Sequence, residues 1–334
     1  MSPRVHGRRG DDFDDDDLSV FDRRSGYSHP RTKNHPDYSS NVTGRVLRVD
    51  RGRFEVLLDE RILKAMKARA LGRKSVIVGD LVHLAGDLSG ADDALARIVQ
   101  VSQRVTILRR SADDDDPFER PIVANADQLL VVTALADPSP RPGMIDRILM
   151  AAYDAHIAPV LCLTKADLAS PDALITQYCA LGIPIVSVYP GCDLSELRQL
   201  LADHRTVFIG HSGVGKSTLI NALIPGSNQT TGDVNEVTGR GRHTSTAAVA
   251  LPLPDGVGWV IDTPGVRSFG LSHVSIATVL AAFPDLSLIA ARCPKGCTHA
   301  LVTPGCALSE AVSAGILNET RLVSLRRILT ALPN

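Results

Sequence analysis

The hydrophobic and polar positions divide the chain into stretches of different periodicity. Residues 1–40 have almost no apolar repeat and mix the acidic run "DDFDDDD" with Arg, Gly, Ser and Pro. Because such a stretch cannot bury enough apolar surface to offset the entropy of ordering, we predict a disordered charged tail. From residue 41 onward, short β-like runs such as "TGRVLRVD" and "RFEVLLD" alternate with Gly and Asp turns. About five such strands within 41–112 predict a small N-terminal β-barrel of the OB-fold type.

The second half shows a different pattern. After a predicted linker at 113–121, continuous apolar runs follow one another, namely "DQLLVVTAL", "APVLCLTK", "IPIVSVY", "RTVFIG" and "VGWVIDT". Strands buried on both faces of a parallel sheet have this pattern, and helix-length segments separate the runs. Residues 122–271 are therefore predicted to form an α/β domain with a doubly wound sheet.

The C-terminal residues 272–334 are predicted to be mainly helical. In "NETRLVSLRRILTAL", Leu322, Leu325 and Leu329 recur at helical spacing, and Asn318 precedes them at a position suited to an N-cap.

One segment of this C-terminal part carries metal-binding chemistry. "CPKGCTHALVTPGC" places Cys293, Cys297, His299 and Cys306 within fourteen residues. Three thiolates and one imidazole form a ligand set that closes a tetrahedral Zn²⁺ site, so we predict one structural zinc ion per chain in a helical zinc-binding domain. A cluster of free thiols is the alternative.

Composition and charge narrow the class of protein. No apolar run approaches the roughly 20 residues of a membrane span, and the N-terminus lacks the apolar core of a signal peptide, which predicts a cytoplasmic protein. The formal net charge is −1, but residues 41–110 carry eight acids and fourteen bases. This modest excess of positive charge suits RNA binding and is equally typical of a solvated surface.

A phosphate-binding loop follows the strand "RTVFIG". The segment "GHSGVGKS" matches G-x-x-x-x-G-K-[ST], and the helical pattern "KSTLINALI" follows it, as this motif requires. Lys216 is predicted to contact the β- and γ-phosphates, and the Ser217 hydroxyl to join the shell of Mg²⁺. The predicted phosphate-site residues are Gly210, His211, Ser212, Gly213, Val214, Gly215, Lys216, Ser217 and Thr218.

The segment "VIDTPG" supplies a second acidic site. Asp262 comes at the end of an apolar strand, where it is predicted to hold Mg²⁺ through water. The backbone N–H of Gly265 is predicted to contact the γ-phosphate.

The base-reading residues come earlier in the chain. In "TKAD", comprising Thr164, Lys165, Ala166 and Asp167, the Asp carboxylate can accept from the N1–H and N2–H of guanine, a pair that adenine lacks. Ser187 lies one strand later, where its N–H could meet guanine O6. The base loops thus precede the phosphate loop, which reverses the usual order. Because these loops meet at the carboxyl ends of parallel strands, such a circular permutation leaves the site intact.

These motifs in this order resemble the RsgA/YjeQ family of ribosome-biogenesis GTPases. The resemblance spans roughly residues 41–330 and rests on "VGD", "ANADQLLVV", "TKAD", "GHSGVGKSTLIN", "GRGRHTST", "DTPGV" and the Cys/His segment. It implies an OB-fold, a circularly permuted P-loop GTPase domain and a zinc domain that dock on the small ribosomal subunit late in its maturation. Members of this family usually have four residues between the first two cysteines and five between the His and the last Cys, whereas this chain has three and six.

The loop between residues 225 and 246 is predicted to be a switch segment. Its Thr244, or alternatively Thr246, is expected to contact Mg²⁺. Many GTPases place a water-orienting Gln after D-x-x-G, but here that position is Val266. His243 is the nearest suitable substitute, and the resemblance points to the same residue as catalytic; it could instead be a loop residue or an RNA contact.

The motifs predict a monomeric GTP hydrolase that uses Mg²⁺, and the resemblance implies that it assists late assembly of the small (30S) ribosomal subunit. It would bind rRNA in the GTP state and leave after hydrolysis stimulated by the subunit, with neither DNA nor membrane as a partner. A GTP-binding RNA scaffold with little hydrolysis is the main alternative. A P-loop ATPase or small-molecule kinase is disfavoured by "TKAD".

Overall fold

The computed structural model describes residues 41–72, 76–91, 93–110, 120–227, 248–254, 256, 258–263, 271 and 274–332. The predicted tail at 1–40 lies outside these residues, as does the predicted linker apart from its last two residues. Within the described part of the chain, the search for a helix of sufficient length and apolarity to span a membrane finds none.

The first five strands form a closed barrel. They are β1 (Thr43–Asp50), β2 (Arg53–Leu58), β3 (Arg61–Lys67), β4 (Leu81–Gly86) and β5 (Ala96–Val101). Their order is β1-β2-β3-β5-β4, and β4 pairs again with β1, which closes the barrel. Alternate residues such as Val46, Val56 and Ile98 are fully buried inside it. The predicted OB-type barrel is confirmed.

A two-stranded antiparallel ribbon follows the barrel. It consists of β6 (Ile107–Arg110) and β7 (Arg120–Ala124). Strand β6 lies inside the range predicted for the barrel, yet it pairs with β7 instead of with a barrel strand.

The α/β part is a mostly parallel sheet with helices on both faces. Its strands are β8 (Gln128–Ala134), β9 (Ala158–Thr164), β10 (Ile185–Ser187), β11 (Arg205–Ile209), β12 (Val249–Pro252) and β13 (Trp259–Asp262). The strand order is β10-β9-β8-β11-β13-β12, in which only β12 is antiparallel. The doubly wound sheet predicted from the continuous apolar runs is confirmed.

Two apolar cores explain why those runs are continuous. On one face, Leu129 and Val131 pack with α1 (Pro142–Asp154), α2 (Asp172–Tyr178) and the C-terminal helices. On the other face, neighbouring strand residues pack with α3 (Ser195–Leu201) and α4 (Lys216–Leu223).

The C-terminal helices cover the first of these faces. They are α5 (Ile276–Ala281), α6 (Pro284–Ala290), α7 (Ala307–Ser313) and α8 (Glu319–Leu329). Asn318 caps α8 as predicted, since its Oδ1 accepts from the Thr320 N–H at 2.8 Å. Leu322 and Leu325 are buried in the same core as α1.

Two arginines of α8 fasten the C-terminal helices to the sheet domain. The Arg327 guanidinium lies 4.3 Å from the centre of the Tyr178 ring and donates to the carbonyl of Gln177 at 3.0 Å. Its Nε lies 3.2 Å from Asp146 on α1. Arg321 forms a two-bond ion pair with Asp285, and its remaining Nη1 donates to a carbonyl of the sheet domain.

The motifs "VGD" and "ANAD" join the barrel to the sheet domain. Gly79 has φ +89°, and a Cβ there would lie 1.9 Å from the carbonyl oxygen of Ala124, so this approach requires glycine. Asn125 donates to the carbonyl of Gly79 at 3.0 Å. The fully buried carboxylate of Asp80 accepts two bonds from Arg104, at 2.6 and 2.8 Å.

We expect Asp80→Ala to destabilise this junction by about 3–5 kcal/mol, because it leaves the largely buried Arg104 guanidinium without its carboxylate. Urea unfolding followed by circular dichroism measures the change. Asp87→Ala is the matched control, since Asp87 is exposed and accepts only from nearby Ser89. Equal midpoints for the two variants would contradict the expectation.

Candidate functional site

Three predicted loops meet at the carboxyl edge of the sheet. Strands β8 and β11 are neighbours, and the chain proceeds from them in opposite directions across the sheet. Crevices at such reversal points are where open α/β sheets bind ligands. The TKAD loop follows β9, the phosphate loop follows β11, and Asp262 ends β13.

The phosphate loop owes its shape to glycines. A Cβ on Gly210 would lie 2.5 Å from the carbonyl oxygen of Val132, so the loop can pass close to β8 only without a side chain there. Gly213 and Gly215 have φ of +80° and +87°, in the left-handed region that favours glycine. Helix α4 begins immediately afterwards at Lys216, so its N-terminus carries Ser217 and Thr218 beside the loop. A helix N-terminus of this kind attracts anions.

The two charged residues predicted for phosphate and magnesium contact each other. The ammonium group of Lys216 forms an ion pair with the carboxylate of Asp262. Both side chains are largely buried, with exposed fractions of 13% and 8%. Strand pairing sets this geometry, because Asp262 lies opposite Phe208 in the β11–β13 register. The Ser217 hydroxyl in the first turn of α4 and the Asp262 carboxylate at the end of β13 are oxygen ligands of the type that Mg²⁺ prefers.

Thr164 connects the TKAD loop to the phosphate loop. Its buried hydroxyl donates to the carbonyl of Val214 at 2.6 Å. The sequence placed Thr164 in the predicted base loop but did not show this contact. Lys165 adopts φ +57°, and its ammonium donates to the carbonyl of Asp137 in the loop after β8.

We expect Thr164→Val to weaken GDP binding about fivefold. The change leaves the carbonyl of Val214 without a bond worth roughly 1 kcal/mol and loosens the two loops relative to each other. Titration with a fluorescent GDP analogue measures the affinity. Thr176→Val, at an exposed position of α2, should leave the affinity unchanged.

The residues predicted to read the base lie at the ends of two neighbouring strands, β9 and β10. Ser187 ends β10 in register with Leu163 on β9. The Val188 N–H then donates to the carbonyl of Leu163, and the Ala166 N–H to that of Val188. Both Asp167 and Ser187 are exposed at this edge, so a planar base can reach them from solvent.

A small cavity lies beneath the phosphate loop. Its volume of about 20 Å³ accommodates a water molecule but no nucleotide. His211 lines it, with Nδ1 donating to the carbonyl of Ser212 and Nε2 accepting from Arg141 at 3.3 Å. Nothing in the sequence pattern pointed to Arg141.

The four predicted metal ligands converge at a second place. The Sγ atoms of Cys293, Cys297 and Cys306 lie 3.7, 3.5 and 3.8 Å from Nδ1 of His299. All four ligand atoms lie within 4.8 Å of one another. This Cys₃His cluster can hold a metal ion. The backbone of His299 adopts φ +57°, in the left-handed region.

Neighbouring groups favour the thiolate form of one cysteine of the cluster, Cys306. Burial raises the pKa of the Cys306 thiol, but hydrogen bonds from the Ser309 backbone and from His299 outweigh burial and bring the pKa to about 6. Arg326 of α8 donates to the carbonyl of His299 at 2.8 Å and to the Ser309 hydroxyl at 2.6 Å. Residues 293–306, which carry the four ligands, are called the metal loop here, and this arginine, which sequence reasoning missed, joins that loop to α7 and α8.

Several predicted site residues lie outside the described part of the chain. They are the catalytic candidate His243, the magnesium candidates Thr244 and Thr246, and Gly265 and Val266 of the second switch.

Comparison with known proteins agrees with this geometry. A profile of the family described as RsgA GTPase matches residues 101–272. A relative from Gemmatimonas aurantiaca is 37% identical over 298 residues, which is 86% of this chain and 96% of the relative. The chain belongs to the RsgA GTPase family.

Other RsgA family members agree with this assignment. A Pseudomonas aeruginosa relative (strain LESB58) is 43% identical over 223 residues, which cover 64% of this chain and 65% of the relative. The matched segment thus spans slightly less than two thirds of that relative. Both relatives are named small ribosomal subunit biogenesis GTPase RsgA.

Two solved structures share the fold of this chain. YloQ, described as a circularly permuted GTPase, matches with a TM-score of 0.64 at 24% identity, over 89% of this chain and 96% of YloQ. YjeQ from Thermotoga maritima matches with a TM-score of 0.65 at 25% identity, over 87% and 98%. The circular permutation predicted from the order of the loops is therefore confirmed as the fold of this chain.

Proposed function

We propose that this protein hydrolyses GTP and acts as a late-stage assembly factor of the small ribosomal subunit. The observation that carries the proposal is the meeting of the phosphate loop, the TKAD loop and Asp262 at one edge of the sheet, in a permuted order. The names of the family relatives supply the ribosomal partner. The factor would bind rRNA in the GTP state and leave after hydrolysis, and it would work as a monomer in the cytoplasm without DNA or membrane as a partner.

Each loop has a separate task in this proposal. The N–H groups of residues 210–218 and the Lys216 ammonium bind the phosphates. Ser217 and Asp262 would hold Mg²⁺, together with Thr244, and this ion supplies neutralisation of phosphate charge. Asp167 and the Ser187 N–H read guanine, while Lys165 lies along the base.

Hydrolysis needs a residue that orients water. Val266 cannot do this, and we propose that His243 does so when the small subunit orders the switch segment. If hydrolysis remains slow with the subunit present, the protein is a GTP-binding RNA scaffold. Val266 favours this alternative, because its side chain cannot orient water.

We propose that the Cys₃His cluster binds one structural zinc ion. Tetrahedral zinc with Zn–S of about 2.3 Å and Zn–N of about 2.0 Å sets S and N roughly 3.5 Å apart. The observed separations of 3.5–3.8 Å fit this value. All four ligands come from protein, so no position remains for catalysis.

GTP turnover measured alone, with small subunits and with large subunits tests the proposed function. We expect strong stimulation by small subunits only. Turnover that neither subunit changes would reject the proposed role as a stimulated hydrolase and favour the scaffold.

Base specificity provides a sharper test of the guanine site. Asp167→Asn replaces an acceptor with an amide that can donate to the O2 carbonyl of xanthine, so we expect GTP affinity to fall at least 30-fold, about 2 kcal/mol, while XTP affinity rises. Competition against a fluorescent nucleotide measures both. Asp172→Asn, at an exposed position on α2, is the control. Unchanged preference for GTP would place base reading elsewhere.

A further inference from the structure

A second cavity lies at the opposite edge of the sheet from the GTP site. It has a volume of about 430 Å³, within the range of roughly 300–1,000 Å³ typical of ligand sites. Residues of the barrel and of the sheet domain line it together: Arg45, Asp203, His204, Arg205, Gly256, Gly258 and Trp259. Strand β11 begins at this cavity and ends at the phosphate loop, so its five residues separate the two sites by roughly 16 Å.

Two arginines line this cavity. Arg205 is ion-paired with Asp127, to which it donates from its backbone N–H and from Nη2, and its buried Nε has no hydrogen-bond partner among the described residues. Arg45 donates from Nη1 to the carbonyl of Gly79 at 3.2 Å. Burial lowers the pKa of Arg45, and the charge of Arg205 lowers it further, more than Asp127 raises it. An anion between the two guanidinium groups would relieve this repulsion. Asp203 also lines the cavity and limits its net charge.

An aromatic residue, Trp259, also lines this cavity. Trp259 is the only tryptophan of the chain, begins β13 in register with Arg205, and is half-buried. The backbone N–H of Trp259 donates to the carbonyl of His204 at 2.8 Å, which holds the backbone of Trp259 beside that of His204. An indole next to guanidinium groups is suited to binding a nucleotide, because the base can stack on the indole while the phosphate binds arginine.

We propose that the cavity formed by Arg45, His204, Arg205 and Trp259 binds a nucleotide of single-stranded RNA. The base stacks on Trp259, and the phosphate lies between Arg45 and Arg205. RNA is favoured over an acidic peptide because the indole adds a stacking surface and because residues 41–110 have six more bases than acids. The identity of the RNA as rRNA rests on the proposed function. In that case the cavity would sense RNA at the junction of the barrel and the GTPase sheet.

Trp259 fluorescence provides a direct readout. The full chain, saturated with GDP so that the GTP site is filled, is titrated with an eight-nucleotide single-stranded RNA and, separately, with AMP. We expect saturable quenching by RNA that weakens with salt, and at least tenfold weaker binding of AMP. Equal affinity for AMP and RNA would overturn the proposal in favour of a mononucleotide site.

Two variants locate the contact. Arg45→Gln keeps a donor for the carbonyl of Gly79, and we expect it to weaken RNA binding about fivefold and to reduce the salt slope by about one. The matched control is Arg48→Gln, an exposed arginine of the same strand that does not line the cavity. Trp259→Phe, measured by anisotropy of labelled RNA, should also weaken binding.

Other outcomes separate this inference from the proposed function. RNA binding without a change in Trp259 fluorescence, or equal losses in both arginine variants, would overturn the cavity as the RNA site. Basal GTP turnover by Arg45→Gln should equal that of the unchanged protein. If the chain fails to hydrolyse GTP but RNA still quenches Trp259, the proposed hydrolase fails and the RNA site stands.

Discussion

Replacing Lys216 with Ala should reduce GTP hydrolysis at least 100-fold. In the proposed site its ammonium is the positive charge nearest the β- and γ-phosphates, and removal of one such electrostatic group typically costs a factor of 100 to 1,000 in turnover. Steady-state release of phosphate, with small subunits present, measures the loss. Lys64→Ala, which removes an exposed lysine of the barrel, should retain full activity.

Lys216 is ion-paired with Asp262, and a second substitution at Asp262 separates the effect of Lys216→Ala on activity from its effect on stability. Lys216→Ala leaves a carboxylate that is only 8% exposed without its partner, so the unfolding midpoint should fall. Adding Asp262→Asn removes that buried charge and should recover most of the midpoint, while hydrolysis stays absent. If the double variant regained turnover, Lys216 would have only a structural role.

Removal of the metal should have the largest effect on stability. Structural zinc contributes roughly 10–16 kcal/mol of binding energy in small domains, and here the ligand loop connects α6 to α7 and, through Arg326, to α8. We expect Cys306→Ser to lose bound zinc and to lower the melting temperature by at least 10 °C, because several kcal/mol of that energy is lost. Metal analysis and thermal unfolding with and without a chelator measure both effects.

Cys179→Ser is the matched control for this experiment. Cys179 is an exposed free cysteine outside the cluster, so its removal should change neither metal content nor melting temperature. A chain that purifies without metal and keeps its melting temperature in chelator would establish the free-thiol alternative.

The sequence patterns predicted the secondary structure correctly where one short segment of the chain is enough to determine the element. The continuous apolar runs predicted β8, β9, β10, β11 and β13, because strands buried on both faces need apolar residues on both sides. The spacing of "GHSGVGKS" predicted a loop between strand and helix. Strand β12 was not predicted: it has four residues, ends in Pro252 and pairs at its outer side with β1 of the barrel.

Contacts between distant residues of the sites could not be predicted from the sequence, because they depend on the tertiary fold. Thr164 and Val214 are fifty residues apart, and Lys216 and Asp262 are forty-six apart, so their contacts exist only because β9, β11 and β13 end at one edge of the sheet. The cavity of Arg45 and Trp259 likewise requires the barrel to join the opposite edge.

The sequence by itself determined the fold class, the candidate site residues and the permuted order of the loops, because periodicity and short motifs depend on neighbours in the chain. The tertiary structure decided which groups meet: the Thr164 bond between loops, the Lys216–Asp262 pair, the support of the metal loop by Arg326 and the second cavity. The physical reason is that hydrogen bonds and ion pairs act over a few ångströms, whereas their partners here lie tens to hundreds of residues apart, and only strand order brings them together.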